Sequence, residues 1–379
     1  MLKEIQSLSK RSLLVSAFVI AAVVWIAHWQ YRNYQLSHPN RIHSEVAVTA
    51  NMKTICVGRL LLDVPVESQI TLGEFIVDGT SIGVEQNVTQ YQFERRMQAR
   101  WQEIQASAPD GTDHRYTSKP AERIEPVEHG VVFMWGDRNI SFDEKKPQYV
   151  HDTQGYLWRD GTVYSFDKDL STEKQFITMM GRIHSRPGDA LPTSPGLCNV
   201  ATFIPDDGAW HDEQIRLNVD LPDLHTSIGV IVQSVDGTPP DRLIDRADQR
   251  APIARKEIAE AILRDPSLQL DGTIMRRARR QVGRWLGDEL VSGDTDNQNR
   301  DGYSTQVTAS WEFPGESRSI AKPHIELEML TGYKTASQPH PMGSFPKDTI
   351  SGHGRLTETE FFTLWDKMTD SLRLRPGAA

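Results

Sequence analysis

Gly79-Thr80-Ser81-Ile82-Gly83 fits the G-x-S-x-G string that can carry a serine nucleophile. That chemistry needs the serine on a strained turn between a strand and a helix, with its hydroxyl exposed beside oxyanion-binding N–H groups. Residues 75–77 supply a strand before the serine. Val84-Glu85-Gln86 then continues an extended alternation where a helix should begin. Asp78-Gly79 reads better as a two-residue hairpin turn, with Thr80, Ile82 and Val84 on the return strand. A serine hydrolase using Ser81 is therefore the remotest functional reading.

Twelve histidines invite a search for metal ligands. No HExxH string occurs, and no histidine pair has helical ligand spacing with a carboxylate partner. His225, His324 and His340 read as surface or loop residues. Asp294-Thr295-Asp296-Asn297-Gln298-Asn299 opens like a calcium loop but lacks glycine at its sixth place and glutamate at its twelfth, where Thr305 stands. It reads as an acidic hairpin tip running on to Asp301. No phosphate-binding loop or dinucleotide fingerprint is present. We expect no catalytic residues, no cofactor, no metal and no small-molecule substrate.

Arg276, Arg277, Arg279, Arg280 and Arg284 form a basic cluster. If residues 274–286 form a strand, alternate arginines face opposite sides. The simpler reading is an exposed strand. The sharper one is a protein-binding face, because arginine is enriched in such surfaces. Arg276, Arg277, Arg279, Asp294, Asp296 and Asp301 are the candidate contacts for a protein partner.

The elements that carry these residues follow from the apolar pattern. Lys3, Lys10 and Arg11 precede an apolar run from Leu13 to Ala27 that includes Phe18, Ile20 and Trp25 and closes on Trp29, Tyr31 and Arg32. A basic flank, an apolar stretch and an aromatic border are the pattern of a membrane-entering chain. A spanning helix wants roughly 17–25 residues, and residues 12–29 reach that length. Signal-peptide cleavage wants small residues at the last and third-last positions; cuts after Ala27 or Ala22 place Trp25 or Ile20 there. The expectation is a retained anchor over residues 1–31, single-pass in the inner membrane, with the rest on the periplasmic side.

The chain has 379 residues, long for one domain and comfortable for two. Its 38% hydrophobic and 25% charged content suits a folded body. A net charge of −9 argues against nucleic acid or an anionic lipid surface as the main partner; a basic protein patch is the natural counterpart. With only Cys56 and Cys198, no disulfide scaffold or cysteine metal site exists. The two could pair in an oxidising compartment. Two separate buried thiols, each opening its own domain, is the simpler arrangement.

Residues 32–50 read as a polar tether. Strands follow around residues 55–65, 70–77 and 82–86, then a helix over 88–104, a buried strand at 131–135 and a hairpin across Asp160-Gly161. A helix with Phe176, Met180 and Ile183 on one face closes this part at Arg186-Pro187-Gly188. Residues 189–196 read as a linker, set in a proline-rich stretch. After it come strands near 201–204, 215–219 and 228–234, helices over 243–250 and 253–264 divided at Pro252, and strands over 274–286, 304–312 and 324–331. Thr357-Glu358-Thr359-Glu360 is a capping-box pattern, followed by Phe361, Trp365, Met368 and Leu372 at helical spacing. The expected fold class is α+β: two domains, 51–188 and 197–379, each a mixed or antiparallel sheet with packed helices, behind one transmembrane helix.

Several strings go further. Thr54-Ile55-Cys56-Val57-Gly58-Arg59-Leu60-Leu61-Leu62-Asp63-Val64-Pro65 and Gly155-Tyr156-Leu157-Trp158 resemble the N-terminal domain of the immunity proteins cognate to class-four type VI secretion lipase effectors. Pro195-Gly196-Leu197-Cys198, Trp311-Glu312-Phe313-Pro314-Gly315-Glu316 and residues 323–332 resemble that family's C-terminal domain. The resemblance covers about residues 50–375. It implies a non-enzymatic, two-domain inhibitor of a phospholipase delivered to the periplasm, clamping it to block substrate access or lid opening. A membrane-tethered envelope protein with another partner is the alternative.

Overall fold

The computed structural model describes residues 21–34, 36–37, 46–107, 116–117, 121–139, 149–167, 173–186, 190–266, 270–299, 302–332 and 356–378. A helix at residues 21–34 (α1) comes first. The N-terminal half then runs β1 (Met52–Val57), β2 (Leu60–Pro65), β3 (Gln69–Val77), β4 (Thr80–Gln86), α2 (Gln90–Ser107), β5 (Tyr116–Thr117), β6 (Glu122–Ile124), β7 (Gly130–Asn139), β8 (Tyr149–Arg159), β9 (Thr162–Asp167), α3 (Glu173–Arg182) and β10 (His184–Ser185). The C-terminal half runs β11 (Gly196–Cys198), β12 (Thr202–Pro205), β13 (Glu213–Leu221), β14 (Thr226–Gln233), α4 (Leu243–Arg264), β15 (Leu270–Val282), β16 (Trp285–Asn299), β17 (Gly302–Phe313), β18 (His324–Thr331), α5 (Glu358–Ser371) and β19 (Arg373–Leu374).

One 13-stranded sheet passes through both halves in the order β15-β16-β17-β18-β14-β13-β3-β4-β9-β8-β7-β5, with β6 also on β7. This corrects the expected fold class. Strands dominate, and the two halves share one sheet instead of building one each. The join is the antiparallel β3–β13 ladder, eight residue pairs from Glu213↔Val77 to Asp220↔Gln69. Such a long-range pairing leaves no mark in the local pattern of either strand.

The second correction concerns the membrane. Among the described residues no helix is long and apolar enough to cross a bilayer. In α1 the apolar residues stop at Ala27, and His28, Gln30, Arg32 and Asn33 follow within the same helix. Trp25 and Trp29 are exposed on it; Leu13, Phe18 and Ile20 lie outside the described residues. The single-pass inner-membrane assignment and the tether through an N-terminal helix are accordingly not supported.

Local chemistry explains the remaining elements. Asp78-Gly79 and Asp160-Gly161 have positive φ at both positions (50° and 71°, 46° and 81°). That is the geometry in which a two-residue turn matches strand twist, and the pairs Val77↔Thr80 and Arg159↔Thr162 close on them. Thr357 caps α5: its side chain accepts from the Glu360 N–H, and Glu360 reaches back to the Thr357 N–H. Pro252 does not divide α4, which runs unbroken from Leu243 to Arg264 with the proline inside.

The sheet has two unlike faces. The inner face carries Phe75, Ile215, Leu217, Val230, Ile228, Leu327, Met329, Val307 and Trp311, all buried in one core with Phe361, Leu364, Trp365 and Met368 of α5 and Phe176 and Met180 of α3. Each such side chain contributes roughly 1.5–3 kcal/mol by burial. Two three-stranded sheets, β1-β2-β19 and β10-β12-β11, complete this layer. The first pairs the tail of the chain, Arg373 and Leu374, with Leu61 and Leu60 near its start.

Cys56 and Cys198 are joined in a disulfide with their Cα atoms 5.9 Å apart, and both are fully buried. Two separate thiols are thus not what the fold contains. Gly58 makes the bond possible: at φ 66° it turns β1 into β2, donates to the Cys198 carbonyl (2.7 Å) and accepts from the Cys198 N–H (2.9 Å). The bridge closes a sequence separation of 142 residues between the halves. A Cys56→Ser, Cys198→Ser double variant should lose about 2–5 kcal/mol of stability, read as a lower urea midpoint of the non-reduced protein. An unchanged midpoint would show that the bridge holds nothing together.

Candidate protein-binding surface

The structure disperses the residues that sequence reasoning grouped by chemistry. Ser81 sits on β4, paired with Ile76 and Asp167, exposed and on no strand-to-helix turn. Among the described residues no group of three metal-ligating side chains converges. A groove of about 500 Å³ beside α2 is lined by Tyr91, Glu94, Arg95, Arg123, Glu125 and His129. Arg123 there is held by Glu125 at 2.6 Å, an ordinary surface pair.

The arginine strand divides as a strand must. Arg276 and Arg280 point inward and are buried; Arg279 is exposed, and Arg277 reaches Asp248 of α4 at 2.6 Å. Inside, Arg276 donates to both carboxylate oxygens of Asp366 (2.7 and 3.0 Å) and lies over the Phe362 ring. Arg280 donates to Glu289 (2.6 Å), Asp366 (2.9 Å) and Asp370 (2.6 Å). Trp365 Nε1 donates to the same Glu289 oxygen at 2.9 Å. Arg276 therefore anchors α5 to the sheet and is not available to a partner. The acidic residues Asp294 and Asp296 fall in β16, opposite Gln306 and Ser304 of β17, and Asp301 lies outside the described residues.

Removing one member of a buried charge set strands the others. Asp366→Ala should cost about 3–5 kcal/mol in urea unfolding, far more than Asp248→Ala at the exposed Arg277 pair. Equal costs would mean that the buried set carries no special weight.

A second set of charges stitches the halves. Arg59 donates to Asp206 (2.8 and 2.7 Å), Glu213 (3.0 and 2.7 Å) and the Ala378 carbonyl (2.9 Å). Burial works against its charge, but the hydrogen bonds to Asp206 and Glu213 outweigh it and hold its pKa above the usual arginine value. Arg375 donates to the Pro192, Ser194 and Gly196 carbonyls (2.6, 2.8 and 2.5 Å), so the tail grips the segment between the halves. His211 lies between Asp78 (2.7 Å) of the β3–β4 turn and Asp207 (2.9 Å). Burial alone would lower its pKa; the hydrogen bonds to Asp207 and Asp78 prevail and raise it.

The raised His211 pKa has a defined sign. Its stabilising contribution is full below the unfolded histidine value, about 6.5, and is lost as pH rises through the folded value. The thermal midpoints of the wild-type chain and of His211→Gln should differ most near pH 5–6 and converge at higher pH. A difference that grows with rising pH would contradict this pairing.

The outer face of the sheet is polar where the inner face is apolar. Directly paired residues share a face, so Glu85, Gln214, Arg216, Ile231, Glu326, Glu312 and Asp288 all point outward along the ladders. Two helices cover its ends. At one end, α2 packs Phe93, Met97 and Ile104 on Val131, Phe133 and Val163. At the other, α4 is pinned by Arg242 on Asp288 and Arg246 on Glu312. Beyond that point α4 is mostly exposed, with Ile253 and Leu263 at 59% and 81%. Between the helices no described element lies on the outer face of β18, β14, β13 and β3. Its side chains include His324, Glu326, Glu328 and Leu330 of β18, Ser227, Ile231 and Gln233 of β14, Gln214, Arg216, Asn218 and Asp220 of β13, and Gln69, Thr71, Glu74 and Ile76 of β3. Sequence alternation could have marked these as outward residues, but not that they form one surface across both halves.

Residues 53–183 match the model of the Tle cognate immunity protein 4 N-terminal domain, and residues 190–377 that of the C-terminal domain. The chain belongs to the Tle cognate immunity protein 4 family, and it is a binding protein, not an enzyme. No curated protein matches it in sequence. Among solved structures, it resembles a chain of the Tle4-Tli4 complex at 17% identity and a TM-score of 0.64, covering 86% of this chain and 99% of that one. It also resembles the type VI secretion immunity protein TplEi of Pseudomonas aeruginosa. The apo form gives 17% identity and a TM-score of 0.61, over 86% of this chain and 98% of that one. The form complexed with "L" peptide gives 17% and 0.57, over 86% and 99%. At that identity the likeness concerns the fold.

Proposed function

We propose that this chain is the immunity partner of a type VI secreted class-four lipase, acts in the periplasm, and holds the lipase so that phospholipid cannot enter or the lid cannot open. The observation that carries this reading is the match of both immunity domains, in order, along one chain. The similar fold solved in the Tle4-Tli4 complex agrees with it. The buried Cys56–Cys198 bridge favours an oxidising compartment, because such bonds form and persist outside the reducing cytosol. The shared sheet supports a grip made by both halves as one body: neither half keeps its β3–β13 hydrogen bonds without the other.

Titrating the purified lipase with the full chain should remove its activity on phospholipid vesicles at about one equivalent, while the chain alone hydrolyses nothing. The same chain exported to the periplasm should protect cells that receive the lipase, and a version kept in the cytoplasm should not. Full lipase activity in the presence of excess chain would overturn the reading.

A further inference from the structure

We infer that the open outer face of β18, β14, β13 and β3, between α2 and α4, is the surface that receives the lipase, and that the lipase presents a positively charged, partly apolar segment there. This rests on the immunity reading and adds where the contact is made and with what chemistry.

The first argument is coverage. A large antiparallel sheet tolerates one wet face only if that face is polar. Here the outer face is closed by helices at both ends and, among the described residues, carries no element across four central strands, a width of roughly 19 Å at ordinary strand spacing. That span accepts a helix of about 10–12 Å diameter or a folded loop. Half-buried Ile231 and Leu330 lie on the floor, and Ile253 and Leu263 stand exposed on the α4 side. Apolar side chains set among polar ones are the usual make-up of a protein interface.

The second argument is charge. Glu74, Asp220, Glu326 and Glu328 share this face with one guanidinium, Arg216, while Arg246 of α4 reaches Glu326 electrostatically from the side but is held by Glu312. Glu74 accepts from Gln214 (2.6 Å) and Asp220 from Ser227 (2.7 Å), both neutral donors. Glu326 and Glu328 lie two residues apart on β18, so their side chains stand on the same side. Partial burial, and next the charge of Glu326, push the Glu328 carboxyl above its usual range, with Arg216 opposing. The face is thus short of positive charge, and a lysine- or arginine-bearing partner supplies it. The same deficit selects among occupants. A second copy would set carboxylates against carboxylates, and an anionic lipid surface or nucleic acid would be repelled. By contrast, the acidic groups deeper under α4, Asp288 and Glu312, already have Arg242 and Arg246.

The test uses the full-length, disulfide-bonded chain and the purified class-four lipase from the same genome. Glu326→Lys with Glu328→Lys should weaken binding at least tenfold, mainly by slowing association, and rising salt should slow the wild-type association in the same way. Glu67→Lys, in the turn between β2 and β3, should bind like wild type. If the double reversal lowers the thermal midpoint, Glu326→Gln with Glu328→Gln is read instead and should give a smaller loss in the same direction. Unchanged affinity in a folded variant, or a change in self-association with lipase binding intact, overturns the assignment of this face and leaves the immunity reading standing. A wild-type chain that binds no lipase overturns both.

Discussion

Strand β3 cannot satisfy its backbone within its own half of the chain. It pairs with its hairpin neighbour β4 at only two positions, Ile76↔Ser81 and Val77↔Thr80, and with β13 at eight. A buried N–H or C=O without a partner costs about 1–3 kcal/mol, so a ladder of this length binds the halves more firmly than any single side chain could. Everything else in the seam reinforces it. The Cys56–Cys198 bridge, the β2–β19 pairing, Arg59 on Asp206 and Glu213, and Arg375 on the carbonyls of residues 192–196 all cross between parts far apart in sequence. The two domain models of this family therefore describe two lengths of chain that share one sheet.

The same sheet explains the arginine strand. β15 lies at one edge of the order, and a long free edge is a template for pairing with another chain. Here the edge carries a register shift between Ile274 and Arg276, outward Arg277 and Arg279, and inward Arg276 and Arg280. A bulge and inward-pointing charges are recognised ways of blunting an edge. The inward pair also fixes α5, through Asp366 and Asp370. One run of basic residues thus serves solubility and packing together.

Much of the local structure was legible in the sequence, because its causes are local. Asp78-Gly79 and Asp160-Gly161 announce hairpins through residues that tolerate positive φ. Thr357 and Glu360 announce a helix start, and the apolar spacing of Phe361, Trp365 and Met368 gives the face that α5 buries. The family was legible in strings such as residues 54–65 and 323–332. What failed was long-range or context-dependent. The pairing of β3 with β13 has no signature in either strand. Alternation showed that Arg276 and Arg277 face opposite ways, but not that Asp366 waits for Arg276 on a helix ninety residues later. Pro252 looked like a helix start, yet its missing N–H is tolerated within the exposed α4. The apolar run near the N-terminus suggested a membrane span, whereas the described part of it turns polar at His28.

The central claim is that the β3–β13 ladder makes both halves one cooperative body. Native-state hydrogen exchange across the seam tests it most directly. If the claim holds, amides of β13 residues 215–219 and the β3 amides that donate to β13 exchange only through global unfolding, as slowly as those of Val230 and Leu327 in the neighbouring strands, and denaturation proceeds in one transition. Seam amides that exchange orders of magnitude faster than β14 and β18, together with two separate unfolding transitions, would contradict it.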